Sequence, residues 1–240
     1  MSTATVNRCL ALRNATYPEP EWPDEIHRAA VRRAAATGAV LVDVGCGRQA
    51  SDLRVLAPSF ERAYGVDVDL APHREANWEL VPADGHQLPF PDGAADVVAM
   101  NDVVEHLADP VAAFRDCLRV LRPGGRLIVL TVNVHFPIIY AARWLPHGVR
   151  QRLNAFASNT PPEDTFPAFY RANTARALKA AGHAAGFELT AFRHVSTHPR
   201  YLMFSYPLYK LGVRLEQVVR RNDRFAGVRQ FLHADFRKPR

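Results

Sequence analysis

Short apolar runs alternate along the chain with segments whose apolar residues recur at helical spacing. Residues 40–44, 62–67, 79–81, 95–100 and 126–132 are such runs, and they fit strands buried on both faces. Asp24 opens a helix over residues 25–37, with Ile26, Ala29, Ala30 and Arg33 on one face and Gly38 as the stop. Ser51 or Asp52 caps a short helix that Pro58 ends, and a helix over 110–121 stops at Arg122-Pro123-Gly124-Gly125. Further on, Asn173 or Thr174 caps a helix to Ala185, Gly186 ends it, and 187–195 and 230–237 read as two more strands. Strand following helix in this order predicts a doubly wound parallel α/β sheet with right-handed crossovers.

Three stretches break the rhythm. Within an N-terminal arm over 1–23, Tyr17-Pro18-Glu19-Pro20-Glu21-Trp22-Pro23 holds three prolines and is predicted to be non-helical and extended. Its aromatic pair either closes over a ligand or anchors the arm. Residues 135–172 form an insertion just after the carboxyl end of a strand, where open α/β sheets bind ligands, and are expected to shape a pocket. Over 205–225, Leu208, Leu211, Leu215 and Val218 alternate with Lys210, Arg214 and Arg221, the pattern of a basic amphipathic helix. The expectation is a single domain, 1–240, carrying these three additions.

Composition narrows the function classes. At 240 residues and 48% hydrophobic, the chain is long enough for one α/β domain with a full core. No apolar run approaches the ~20 residues that span a bilayer and no signal peptide is legible, so the expectation is a cytoplasmic protein. Cys9, Cys46 and Cys117 fall at no metal-ligand or disulfide spacing, and no metal is expected. The net charge of +6 permits contact with nucleic acid or an anionic membrane, yet no nucleic-acid module accompanies it and no nucleic-acid partner is expected.

The chemistry gathers at Asp43-Val44-Gly45-Cys46-Gly47, where a buried strand opens into a glycine pair over which a ligand can approach the backbone. Gly45-x-Gly47-x-x-Ala50, followed by Asp67, satisfies the glycine fingerprint of a dinucleotide site. One candidate is therefore a NAD(P)-dependent oxidoreductase. Asp43 argues against it, because a dinucleotide fold carries an apolar residue there. Cys46 reads as a small residue tolerated in the turn rather than as a reactive thiol.

Five segments in register settle the preference. Asp43-Val-Gly-Cys-Gly47, Gly65-Val-Asp67, Ala83-Asp84-Gly85-His86-Gln-Leu-Pro-Phe90, Val103-Val-Glu105-His106-Leu and Leu121-Arg-Pro-Gly-Gly-Arg-Leu127 resemble the successive motifs of class I S-adenosylmethionine-dependent methyltransferases. The branch most similar is the small-molecule one related to ubiquinone and menaquinone methylation, and the match covers roughly residues 38–133. The resemblance implies a Rossmann-like, doubly wound, seven-stranded sheet, mostly parallel with the last strand antiparallel. S-adenosyl-L-methionine is the implied cofactor. In that reading Gly45, Cys46 and Gly47 lie along the methionine part and Asp43 holds the turn through hydrogen bonds. Asp67 accepts the ribose hydroxyls, Asp84 and Gly85 meet the adenine, and Asn101 sits beneath the sulfonium. The family's third glycine is absent, with Arg48 or Gln49 in its place.

The implied activity is methyl transfer, at oxygen, to a small-molecule, glycan or lipid-linked acceptor. A non-catalytic S-adenosylmethionine-binding module is a further alternative. His106 and His135 are the two candidate general bases, since imidazole titrates near neutrality. The Glu105-His106 pair recurs in the family across very different acceptors, which points to a scaffold role as well. For the 205–225 stripe, packing on the domain or against a second copy is expected before contact with an anionic membrane.

Overall fold

The computed structural model describes residues 2–36, 39–142 and 167–240. The chain divides into two compact units. One comprises Met1–Glu25, Asn133–Pro167 and His194–Phe231, and the other Ile26–Val132, Ala168–Arg193 and Leu232–Arg240.

The second unit is built on the sheet. Its strands are β1 (Val40–Val44), β2 (Arg62–Asp67), β3 (His73–Arg74), β4 (Trp78–Pro82), β5 (Ala95–Asn101), β6 (Leu121–Val132), β7 (Glu188–Val195) and β8 (Phe231–Arg237). They are ordered β3-β4-β2-β1-β5-β6-β8-β7. β1 pairs in parallel with β2 and β5, β2 with β4, and β5 with β6. Backbone bonds from Gly124 to Lys238 and from Asn133 to Gln230 give β6 and β8 opposite directions, the antiparallel closing strand expected from the resemblance. The eighth strand is β3, a two-residue antiparallel partner of β4 too short to leave a period in the sequence.

Both faces of the sheet are covered. Val42, Val44, Val98, Met100, Leu127 and Val129 pack on one side with Phe114 and Cys117 of α4 (Pro110–Val120) and Leu178 of α6 (Ala175–Ala185). Leu41, Val97, Ala99 and Ile128 pack on the other with Val31 of α2 (Pro23–Ala34) and Leu53 and Leu56 of α3 (Ser51–Leu56). Adjacent residues of one strand serve opposite layers, which is why these strands are continuously apolar rather than alternating.

Local signals hold with small shifts. Thr174 caps α6 by accepting from the Ala177 amide, and Gly186 ends it in the left-handed region at φ 103°. Asp24 lies inside the first turn of α2, which starts at Pro23, because proline suits the first helical position. The expected stop at Gly38 lies outside the described residues. The cap of α3 is Ala50, left-handed at φ 48°, and neither Ser51 nor Asp52 serves. Arg122–Gly125 does not interrupt the strand but forms an irregularity within β6, between the pairs Ala95 with Leu121 and Val97 with Arg126.

In the first unit residues Thr3–Thr16 form a helix, α1, which the sequence pattern leaves unassigned. Glu19–Glu21 form a single 3-10 turn within the proline-dense segment expected to be extended. The apolar residues of α1 follow no single stripe, so periodicity could not reveal it. Tyr17 is buried with Cys9, Met203, Tyr209 and Val213, and its hydroxyl donates to Glu216 at 2.6 Å. The aromatic pair therefore anchors, with the Trp22 indole donating to the Tyr17 carbonyl. After β6 come α5 (Pro137–Ala142) and, further on, α7 (Tyr206–Arg221). Residues 143–166 of the predicted insertion lie outside the described residues. In α7 the buried residues are Tyr209, Gly212 and Val213, while Leu208, Leu211, Leu215 and Val218 are exposed. The expected stripe is thus not packed on the domain among the described residues. A second apolar face, interrupted by glycine, took that place.

A pair of histidines gives the second unit a pH dependence. The rings of His27 and His233 lie 6.0 Å apart, both buried, and neither ring nitrogen of His27 has a hydrogen-bond partner. Burial holds His27 down to about 4, with nearby Asp52 opposing and Arg28 assisting. Burial holds His233 down to about 3, assisted by His27, Arg193 and Arg33. Both folded values lie below the unfolded value, so this stability is complete above pH ~6.5 and is lost as pH falls towards 4 and 3. Between pH 7.5 and 5 the loss is about 2 kcal/mol per histidine. Asp43 acts in the opposite sense, its raised value relieving a cost as pH falls. Urea unfolding at the two pH values checks this, and the double variant His27→Leu, His233→Leu is expected to flatten the difference.

Candidate active site

At the carboxyl ends of the central strands, β1 turns through Gly45 at φ 73° and Gly47 at φ 66°. The amides of Gly45 and Cys46 both donate to the Val66 carbonyl, at 2.7 and 3.2 Å. The Gly47 amide donates to the Asp67 carboxylate at 3.0 Å, and the other Asp67 oxygen accepts from the Asp69 amide. The end of β2 thereby fixes the turn. This corrects the expectation that Asp43 does so: its Oδ2 is buried without a hydrogen-bond partner.

Glycine is required here for different reasons at three positions. A Cβ on Gly45 would lie 2.2 Å from Val103 Cγ2, and one on Gly65 would meet the Cys46 sulfur at 2.7 Å. Gly47 has nothing within 4 Å of a Cβ, so open space lies over it. The missing third glycine is also accounted for. The next left-handed position is Ala50, fully buried, and Arg48 is turned outward to pair with Asp69. A non-glycine residue there costs about 1–2 kcal/mol, offset by burial of its methyl group.

Three carboxylates surround the turn. Asp43 is 2% exposed, and burial followed by the charges of Asp52 and Asp67 raises it well above the usual carboxylate range. Asp52, in the first turn of α3, accepts from Arg28 at 2.7 Å and from the Asn101 amide at 2.8 Å. From the sequence Asp52 reads only as a possible helix cap, not as a residue of the site. An acidic residue opening the helix after the turn was its only local signal, and its partner Asn101 is far along the chain. The Cys46 thiol is pushed up by burial and by the charges of Asp43 and Asp67, which keeps it protonated and agrees with a small tolerated residue.

Asp84 is exposed, and one of its oxygens accepts from the His86 amide at 2.9 Å and meets His86 Nδ1 at 2.8 Å. Those two bonds hold Asp84 below its ordinary value and leave its second oxygen outward. A Cβ on Gly85 would stand 3.1 Å from Val44, so this loop lies close over the end of β1.

Glu105 proves structural in its contacts. It is buried, it accepts from the Thr131 hydroxyl at 2.7 Å, and its carbonyl takes the amides of Phe169 and Tyr170. Asn173 completes the cluster by donating to Thr131 at 2.7 Å. His106 is half-buried beside it, on the 3-10 turn Val104–His106. His135 is exposed in the first unit, where its amide donates to Asn133. Among the described residues no His, Cys, Asp and Glu group could hold a metal ion.

A parallel sheet covered on both faces, with a glycine turn held by the carboxylate that ends the next strand, defines a fold of the α/β class that binds nucleotide-like cofactors at this end of the sheet. The model of the methyltransferase-domain family matches residues 15–192, and the chain belongs to that family. A probable S-adenosylmethionine-dependent methyltransferase of Mycolicibacterium smegmatis is 36% identical over 115 residues, 45% of this chain and 44% of that protein. A ubiquinone biosynthesis O-methyltransferase of Caulobacter vibrioides is 28% identical over 168 residues, 56% of this chain and 63% of that protein. The chain thus spans less than two thirds of the length of these curated relatives. A solved geranyl diphosphate methyltransferase in complex with S-adenosylmethionine shares the fold at a TM-score of 0.57 and 16% identity, covering 99% of this chain and 91% of that one.

The residues present fit S-adenosylmethionine. Asp43 Oδ2 is a buried polar atom without a hydrogen-bond partner, and the Asp67 carboxylate stands at the turn beside it. Asp67 at the end of the second strand would serve a dinucleotide equally, and it is the family match that sets the oxidoreductase alternative aside.

Proposed function

We propose that the protein transfers a methyl group from S-adenosylmethionine to the oxygen of a small-molecule, glycan or lipid-linked acceptor. The observation that carries this reading is the Asp67 carboxylate closing the Gly45–Gly47 turn among three acids. Bound S-adenosylmethionine supplies an electrophilic methyl group on a positively charged sulfur. Asp67 keeps lone pairs for the two ribose hydroxyls beside those given to Gly47 and Asp69, since a carboxylate offers about four acceptor sites. The Asp84 oxygen not bonded to His86 would accept from the adenine amino group, and Gly85 would let the ring approach the backbone. Gly45, Cys46 and Gly47 would hold the methionine part, with the buried Asp43 and with Asn101, bonded to Asp52, as its polar neighbours. Alignment and exclusion of water carry most of the rate.

An alcohol or phenol must also lose a proton, and His106 and His135 are the residues we assign to that task. Replacing the acting histidine by Ala lowers kcat about 10²-fold and removes the acidic limb of the pH profile, whereas a variant that keeps both clears that histidine. The experiment that tests the function is incubation with radiolabelled methyl donor and cell extract separated into lipid and aqueous fractions. Label in an acceptor fraction supports transfer and names the acceptor class. Cofactor binding with no label in any fraction would make the protein a binding module.

A further inference from the structure

We infer that the exposed side of α7 is a docking surface for an anionic phospholipid bilayer. Leu208, Leu211, Leu215 and Val218 are 45%, 52%, 60% and 58% exposed, and at 100° per residue they form one continuous strip. Lys210, Arg214 and Arg221 fall on the adjoining strip of the same exposed arc and have no ion-pair partner among the described residues. The helix has a single acid, Glu216, and it faces away, accepting the Tyr17 hydroxyl at 2.6 Å. A helix that presents apolar and cationic strips side by side to solvent, with no anion between them, matches the boundary between acyl chains and acidic headgroups.

A groove of about 430 Å3 between α1 and α7 strengthens the assignment. Leu12 and Val213 contribute apolar surface to it, and Lys210, Arg214 and Arg221 contribute charge. That combination suits a phosphate headgroup attached to a hydrocarbon chain better than a free anion. Charge also argues against a second copy on this face, because two-fold pairing would set the same cations against each other. Among the described residues no helix is long and apolar enough to cross a membrane. The surface is independent of the methyl-transfer reading, since all of its residues belong to the first unit.

Co-sedimentation of the full chain with phosphatidylcholine vesicles, with and without phosphatidylglycerol, is the test. Binding is expected only with phosphatidylglycerol, weakening as salt is raised. The variants Leu211→Glu with Leu215→Glu and Arg214→Glu with Arg221→Glu should each lower vesicle binding at least about tenfold while circular dichroism and thermal unfolding stay those of the parent. Absence of binding by the parent, or binding unchanged in both folded variants, overturns the assignment. So does a dimer in sedimentation velocity that Leu211→Glu with Leu215→Glu dissociates, which would give the face to a second copy.

Discussion

Asp67→Ala is expected to weaken S-adenosylmethionine binding by 10- to 100-fold, about 1.4–2.7 kcal/mol. The carboxylate stands to lose two roles at once. It holds the Gly47 amide at 3.0 Å and so fixes the turn, and in the proposed site it accepts the ribose hydroxyls. Hydrogen bonds to a charged acceptor contribute roughly 1.5–3 kcal/mol each, so even partial replacement by water leaves a deficit of this size. Asp67→Asn keeps the shape but turns one acceptor into a donor, and its loss should fall between the parent and Asp67→Ala. Calorimetric titration with S-adenosylhomocysteine checks both variants. Unchanged affinity would remove Asp67 from the site.

The second large effect separates the two glycines of the turn. Gly45→Ala meets both a left-handed backbone at φ 73° and a contact of 2.2 Å with Val103 Cγ2. The backbone costs about 1–2 kcal/mol and overpacking about 1–3 kcal/mol, so a total loss of roughly 2–5 kcal/mol in stability is expected. Val103→Ala added to Gly45→Ala should return the packing share and leave the backbone share. Gly47→Ala meets open space, and only the backbone cost of about 1–2 kcal/mol applies to its stability. Its new methyl group would occupy the space left for the cofactor, so affinity should fall by more than stability does. Urea unfolding and calorimetry on the three variants read the two quantities separately. Equal behaviour of Gly45→Ala and Gly47→Ala would contradict this division.

What could be read from the sequence was what neighbouring residues encode. The run Val40–Val44, its glycine turn and Asp67 were legible because a strand, a sharp turn and the end of the next strand each leave a local mark. Thr174 and Gly186 were legible as caps for the same reason. Asp52 was not, because its meaning lies in a bond to Asn101, which no local pattern announces. The Glu105, Thr131 and Asn173 cluster and the His27 and His233 pair were hidden likewise, being assembled from separate parts of the fold. The helix Thr3–Thr16 escaped because its apolar residues follow no stripe, and the exposed side of Tyr206–Arg221 because that helix has two apolar faces. Pattern alone cannot tell which of two faces is buried.

The turn at Gly45–Gly47, closed by Asp67 and lying above the buried Asp43, is assigned to S-adenosylmethionine rather than to a nicotinamide dinucleotide. Calorimetric titration of the parent protein with S-adenosylmethionine and with NAD, side by side in the same buffer, tests it most directly. Saturable binding of S-adenosylmethionine with no heat from NAD is the predicted result. Binding of NAD with none of S-adenosylmethionine would contradict the account.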